Sequence, residues 1–209
     1  MKVVEHFLSL QGEGLMIGRL TYFIRTAGCS LRCAWCDTAW SRRFDQGEEM
    51  SVSQILALVK DVRNVCVTGG EPLEQEEMPK LLQALADAGK TVVLETNGSM
   101  DISVVPHSEN IIISMDIKCP SSGMQDRMYL GNMLSLTAKD QLKFVIADRQ
   151  DLDYAENFIR EHPTDANVIF SAVGGLDIRT LAEEVVSKGL DVRVLPQLHK
   201  LIWGDKKGV

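Results

Sequence analysis

Residues 28–40 read GCSLRCAWCDTAW, and three of the chain's five cysteines fall within eight residues of that stretch. Cys29, Cys33 and Cys36 keep the spacing C-x3-C-x2-C, with no further Cys or His nearby. Thiolates at such short spacing bind soft metals. A structural zinc site needs four closed ligands, usually supplied by two C-x2-C knuckles. Three thiolates on a four-iron cluster instead leave one iron open to a substrate or cofactor. Spacing alone leaves both readings standing. Cys66 sits in an apolar run, where a free Cys is commonly a small core residue, and Cys119 in Lys-Cys-Pro reads as a loop thiol.

Other stretches have polar residues where chemistry would need them. TGGEP at 68–72 combines two turn dipeptides, Gly-Gly and Glu-Pro. LQGEG at 10–14 could be a polar turn. Arg25 ends an apolar run in FIRTAGC; burying it is costly unless an anion meets it, either a ligand carboxylate or a protein one. Asp37-Thr38 has the chemistry of a helix N-cap. Gln197 and His199 follow the last apolar run in VLPQLHKLIWGDKKGV.

Such residues need elements to hold them. Runs of Val, Ile, Leu and Phe predict strands at Tyr22–Thr26, Val65–Val67, Thr91–Glu95, Ile111–Met115, Leu142–Ile146, Val168–Phe170 and Val192–Leu195. Amphipathic spacing predicts helices at Val52–Val62, Glu76–Ala88, Leu152–Glu161 and Ile178–Lys188. Ser51 and Gln54 stand at capping-box spacing, and Gly89 and Gly189 at C-cap positions. Apolar strands alternating with helices imply a parallel sheet under a helical layer. Room for about six βα units, against the eight of a closed barrel, predicts a single domain over residues 1–209: an α/β, partial open (β/α)6-type barrel with parallel strands and outer helices. Ligands should then gather where strands end. Those are the places occupied by the cysteine loop, TGGEP, TNG and DIKCPSSG.

The balance of 45% hydrophobic and 24% charged residues is that of an ordinary globular chain. A net charge of −7 argues against a general nucleic-acid binder. No apolar run approaches the ~18 residues of a membrane span, and no signal peptide is visible. Clustered cysteines fit a reducing compartment, so a cytoplasmic location is expected.

C-x3-C-x-aromatic-C after a first strand, with GGEP after a second, resembles the radical S-adenosylmethionine (SAM) enzymes. That resemblance implies a [4Fe-4S] cluster on Cys29, Cys33 and Cys36, whose open iron chelates SAM for cleavage to a 5′-deoxyadenosyl radical. LQGEG, FIRTAGC, TGGEP, ETNG, KCPSSGM and LPQLHKLIWG together resemble the 7-carboxy-7-deazaguanine synthase family over nearly the whole chain. The family contracts 6-carboxy-5,6,7,8-tetrahydropterin to a deazapurine with loss of ammonia, feeding queuosine or archaeosine synthesis, and regenerates SAM. Carried over, the resemblance implies SAM contacts from Trp35, Cys36, Asp37, Gly70, Glu71, Asp116, Ile117, Lys118 and Ser171. It implies substrate contacts from Leu10, Gln11, Gly12, Glu13, Arg25, Thr68, His199 and the carboxylate of Val209, and a Mg²⁺ on Thr38. It also implies a homodimer and a flavodoxin or ferredoxin as reductant. Asp116-Ile117-Lys118 departs from the family's Ser-Pro-Lys and matches instead the glycyl-radical-activating enzymes, the alternative reading. That alternative leaves LQGEG, Arg25 and the QLHK tail without a use.

Overall fold

The computed structural model describes residues 1–209 apart from 174–176, 205 and 207. A long strand, Lys2–Leu10 (β1), turns back into Leu20–Thr26 (β2) as an antiparallel pair, and the two-residue strand Glu48–Glu49 (β3) adds to the free side of β1. From β2 onward every pairing is parallel, through Asn64–Gly69 (β4), Thr91–Thr96 (β5), Ile111–Ile117 (β6), Gln141–Ile146 (β7), Asn167–Ala172 (β8) and Arg193–Val194 (β9). The order β3-β1-β2-β4-β5-β6-β7-β8-β9 is an open sheet ending in a two-residue strand on each side. The helices are Val52–Leu58 (α1), Met78–Asp87 (α2), Arg149–Glu161 (α3), Ile178–Lys188 (α4) and Leu198–Trp203 (α5). Among the described residues, no helix is long and apolar enough to cross a membrane.

This is the partial open barrel that the apolar periodicity implies, with some differences of detail. The antiparallel β1 was not expected, because Glu5 and Ser9 interrupt the apolar period of Val3 and Phe7. Helix α1 begins with the capping box of Ser51 and Gln54 but stops at Leu58, where Val62 N–H turns back to Val59 O at 3.2 Å. The crossovers from β5 to β6 and from β6 to β7 hold only single turns of 3₁₀ helix.

Strand residues sort by a period of two. One set, with Ile24, Val67, Leu94, Met115 and Phe144, joins Ile55 of α1, Leu82 of α2, Phe158 of α3 and Leu181 of α4 in the main core. Phe144 meets Phe158 and Phe170 edge-on, with centroids 5.6 and 5.5 Å apart. The alternate set starts apolar with Phe23, Cys66 and Val93. Toward the strand ends it turns polar, with Arg25, Thr68, Glu95, Asp116 and Lys143 facing one cavity.

Candidate active site

That cavity has a volume of about 500 Å³, within the range of small-molecule sites. Its first wall is the cysteine loop. Gly28 takes φ +92°, which only glycine adopts cheaply, and the loop closes through Gly28 N–H to Ser41 O and Cys29 N–H to Arg42 O. Arg32 donates to the carbonyls of Cys29 and Leu31, and Arg42 to that of Cys33. The TGGEP turn docks directly on this loop. A Cβ on Gly70 would lie 2.2 Å from Gly28 O, and Glu71 N–H donates to that same oxygen at 2.7 Å. Cys29, Cys33 and Cys36 line the cavity and pack with Leu31, Met124 and Met128. Burial raises the thiols of Cys29 and Cys33, and Asn97 Nδ2 lies 3.5 Å from Cys29 Sγ. Among the described residues, no three His, Cys, Asp or Glu side chains group to hold a single metal ion. A cubane cluster asks for a different arrangement, one thiolate per iron around its outside, and the three cysteines that line this cavity would supply three of them.

Beside the cysteines stand Trp35, Asp37 and Thr38. Thr38 occupies the N-cap position of the turn Ala39–Ser41, yet its hydroxyl makes no capping bond and lies 3.8 Å from Cys36 Sγ. Lys118 Nζ sits 5.6 Å from the centre of the Trp35 ring and 2.8 Å from Asp116 Oδ2. Asp116 Oδ1 lies 3.1 Å from Lys143 Nζ, and Lys143 also pairs with Glu13 Oε2. Burial opposes the charge on Lys143, but Asp116 and Glu13 outweigh it and hold the amine well above its ordinary value. Burial likewise works against Glu13, yet Lys143, then Gln197 and His199, bring its carboxyl down to about 2.

The LQGEG segment and the chain's C-terminal part meet on the far side of the cavity. Gln197 Nε2 donates to Glu13 Oε1 at 2.6 Å, and Leu198 N–H to Gly12 O at 2.9 Å. Gly12 packs so closely on His199 that a Cβ would fall 2.2 Å from Nδ1. Gln11 holds Glu95 at 3.2 Å and, with Leu10, Gly12, Glu13, Thr68 and Val209, lines the cavity. Arg25 Nε donates to Glu5 Oε1 at 2.7 Å, and its guanidinium faces Trp40. A protein carboxylate therefore already meets this arginine. Among the described residues its Nη atoms make no ion pair.

Three residues expected at the cofactor have side chains outside the cavity lining. Glu71 is fully buried outside the cavity lining; its carboxylate accepts from Leu73 N, Thr96 Oγ1 and Asn97 N at 3.0, 2.8 and 2.7 Å. It fastens the TGGEP turn to the TNG turn. Ile117 points into the main core, because it alternates with Asp116. Ser171 is buried on β8 outside the lining. Cys119, read as a loop thiol, is fully buried in the main core. Lys143 and Glu95 were not singled out from sequence. The signal that marked Arg25, one charge inside an apolar strand, was also present in Gln141–Ile146.

An open, mainly parallel barrel with a three-cysteine loop at the mouth of its cavity defines a class, and residues 23–128 match the model of the Radical SAM superfamily. The chain is 41% identical to the 7-carboxy-7-deazaguanine synthase of Thermoplasma acidophilum over the whole of both proteins. It is 45% identical to that of Methanospirillum hungatei, over 97% of this chain and 85% of that protein. The chain belongs to the 7-carboxy-7-deazaguanine synthase family of radical SAM enzymes. Among solved structures, QueE from Escherichia coli shares the fold with a TM-score of 0.72 at 22% identity, over 95% of this chain and 94% of that one. SuiB from Streptococcus suis shares it at 0.62 and 15%, over 83% and 47%. The relatives favour this family over the glycyl-radical-activating alternative.

Proposed function

We propose that this cavity converts 6-carboxy-5,6,7,8-tetrahydropterin to 7-carboxy-7-deazaguanine and ammonia, a carbon–nitrogen lyase reaction in which SAM is a catalytic cofactor. The observation that supports it most is that one cavity gathers a three-thiol loop and a set of buried charged groups. Three thiols, Trp35 and Lys118 line it together with Glu13 and Arg25, and ion pairs run from Lys118 through Asp116 and Lys143 to Glu13.

Cys29, Cys33 and Cys36 would hold a [4Fe-4S] cluster, and with SAM bound it supplies reversible hydrogen-atom abstraction. Lys118 offers a cation to the SAM carboxylate, and Asp116 an acceptor to its ribose. Trp35 and Asp37 flank the nucleoside, and Gly70 leaves backbone open to the amino group. Glu13, kept ionised by Lys143, accepts from the pterin ring N–H groups. Each of its oxygens retains a lone pair beyond those that Lys143 and Gln197 use. Leu10, Gln11, Gly12, Thr68, His199 and Val209 close around the ring. Arg25, fixed by Nε on Glu5, retains its two terminal nitrogens for the substrate carboxylate. The Thr38 hydroxyl, with no capping role, would be free to offer one oxygen ligand to a Mg²⁺, a cation that favours oxygen donors. A flavodoxin or ferredoxin supplies the electron, the enzyme works as a homodimer in the cytoplasm, and its product enters the deazapurine pathway of tRNA.

The test is direct. Reconstituted, reduced protein given SAM and carboxytetrahydropterin should release the deazapurine and ammonia in equal amounts. An intact, reducible cluster that yields no turnover overturns the proposal.

A further inference from the structure

Trp35 is held from behind as well as packed from in front. Its Nε1–H donates to Ser121 Oγ at 2.9 Å, and Ser121 Oγ–H donates to Asp151 Oδ2 at 2.5 Å. The direction of this chain follows from chemistry. A carboxylate only accepts, so the one hydroxyl proton of Ser121 goes to Asp151, and its oxygen is left to accept from the indole. Asp151 is fully buried in the first turn of α3, where Asp148 is already the N-cap through Asp151 N–H. The Asp151 carboxylate therefore serves other groups: Ser121 N–H and Ala147 N–H, each at 2.9 Å, and the Ser121 hydroxyl. On the opposite side Lys118 Nζ, itself fixed to Asp116, lies 5.6 Å from the ring centre. A half-buried indole on a cavity wall is thus pinned at its N–H, on a buried anion two bonds away, and over its π system.

We propose that Ser121 and Asp151 are positioning residues that set the plane of Trp35 against the adenine of SAM. The inference rests on the reading of Trp35 as the aromatic wall of the cofactor site. Orienting the ring before SAM arrives lowers the ordering cost of binding. Loss of the Ser121 hydroxyl frees the indole edge, while the backbone bond from residue 121 to Asp151 keeps the turn in place.

Ser121→Ala tests this with two readouts. In the full-length protein without cluster, the ¹⁵N-indole signal of Trp35, assigned through Trp35→Phe, should move and its N–H should exchange faster with solvent. In the reconstituted holoenzyme, equilibrium dialysis should show SAM binding weakened about fivefold, the effect of one net hydrogen bond, with the KM for the pterin unchanged. Ser121→Thr keeps the oxygen and should restore both. Should Ser121→Ala give no folded protein, Ser121→Cys, of similar size but a weak acceptor, should move both readouts the same way. Unchanged SAM affinity in these variants overturns the proposal, whether or not the indole signal moves. Unchanged SAM affinity in Trp35→Ala instead overturns the reading of the wall itself, and so separates the two failures.

Discussion

A lysine on a strand otherwise built from Gln, Leu, Phe, Val and Ile is costly to bury unless anions meet it, and Lys143 meets two, Glu13 and Asp116. Asp116 in turn faces Lys118 through its second oxygen. The aspartate that departs from the family's usual serine is therefore neutralised from both sides. Lys143→Met would take from Glu13 its only lysine among the described residues and leave Asp116 with Lys118 alone. It should destabilise the protein by about 3–5 kcal/mol, read as a fall in melting temperature. The same pairing sets a pH dependence. Glu13 titrates at about 2 in the folded protein, below its ordinary 4.5. A depressed carboxyl contributes stability that is fully present above pH 4.5 and lost as pH falls toward 2. A shift of that size corresponds to about 3 kcal/mol. The stability gap between the wild type and Glu13→Gln, followed by denaturant melts, should be constant above pH 5 and close progressively below it. A gap that persists unchanged at pH 2.5 would remove Lys143 and Glu13 as the cause.

At the scale of elements, the site depends on turns that follow strands and on what ties those turns together. Glu71 is a tie with three donors aimed at one carboxylate, two of them backbone N–H groups. Burial pushes its carboxyl up to about 7 against those donors. Glu71→Gln replaces one accepting oxygen by a donating amide, which must confront Asn97 N–H, or Leu73 N–H and the Thr96 hydroxyl. The expected cost is about 1–3 kcal/mol, seen as a lower melting temperature, with reduced iron retention because both turns border the cysteine loop. This tie also explains which parts of the site were readable in sequence. Arg25, Thr68 and Asp116 end continuous apolar runs that are plain in the sequence, and once the strands are fixed a period of two carries them to the cavity face. Glu71 lies two residues beyond β4, where that period no longer applies, and a turn decides its direction. The helix α5 and the strand β1 were hidden for other reasons. Helix α5 takes partners from far along the chain, as when Leu198 N–H bonds Gly12 O, and β1 carries Glu5, His6 and Ser9 among its apolar residues.

For the molecule as a whole, the open sheet leaves a cavity that sequence-distant segments must close. The LQGEG segment and α5 do so together: Gln197 meets Glu13, and His199 packs on Gly12. Closure of this kind acts on whichever ligand lies beneath it. The contacts that make this closure are with Glu13 and Gly12 and not with the cysteine loop, so its disturbance should separate substrate binding from cofactor binding. Gly12→Ala places a methyl 2.2 Å from the present position of His199 Nδ1 and 2.9 Å from its Cγ, so the imidazole must move. The KM for the pterin should rise about tenfold with kcat little changed, the sign of lost uniform binding, while iron content and SAM affinity hold. His199→Ala alone should produce a similar rise. If both act through one contact, the double variant should add little beyond either single change, since residues in contact are not additive. A double variant whose KM increase is the product of the two single increases would show that Gly12 and His199 affect the substrate independently, and would dissociate the two halves of the closure.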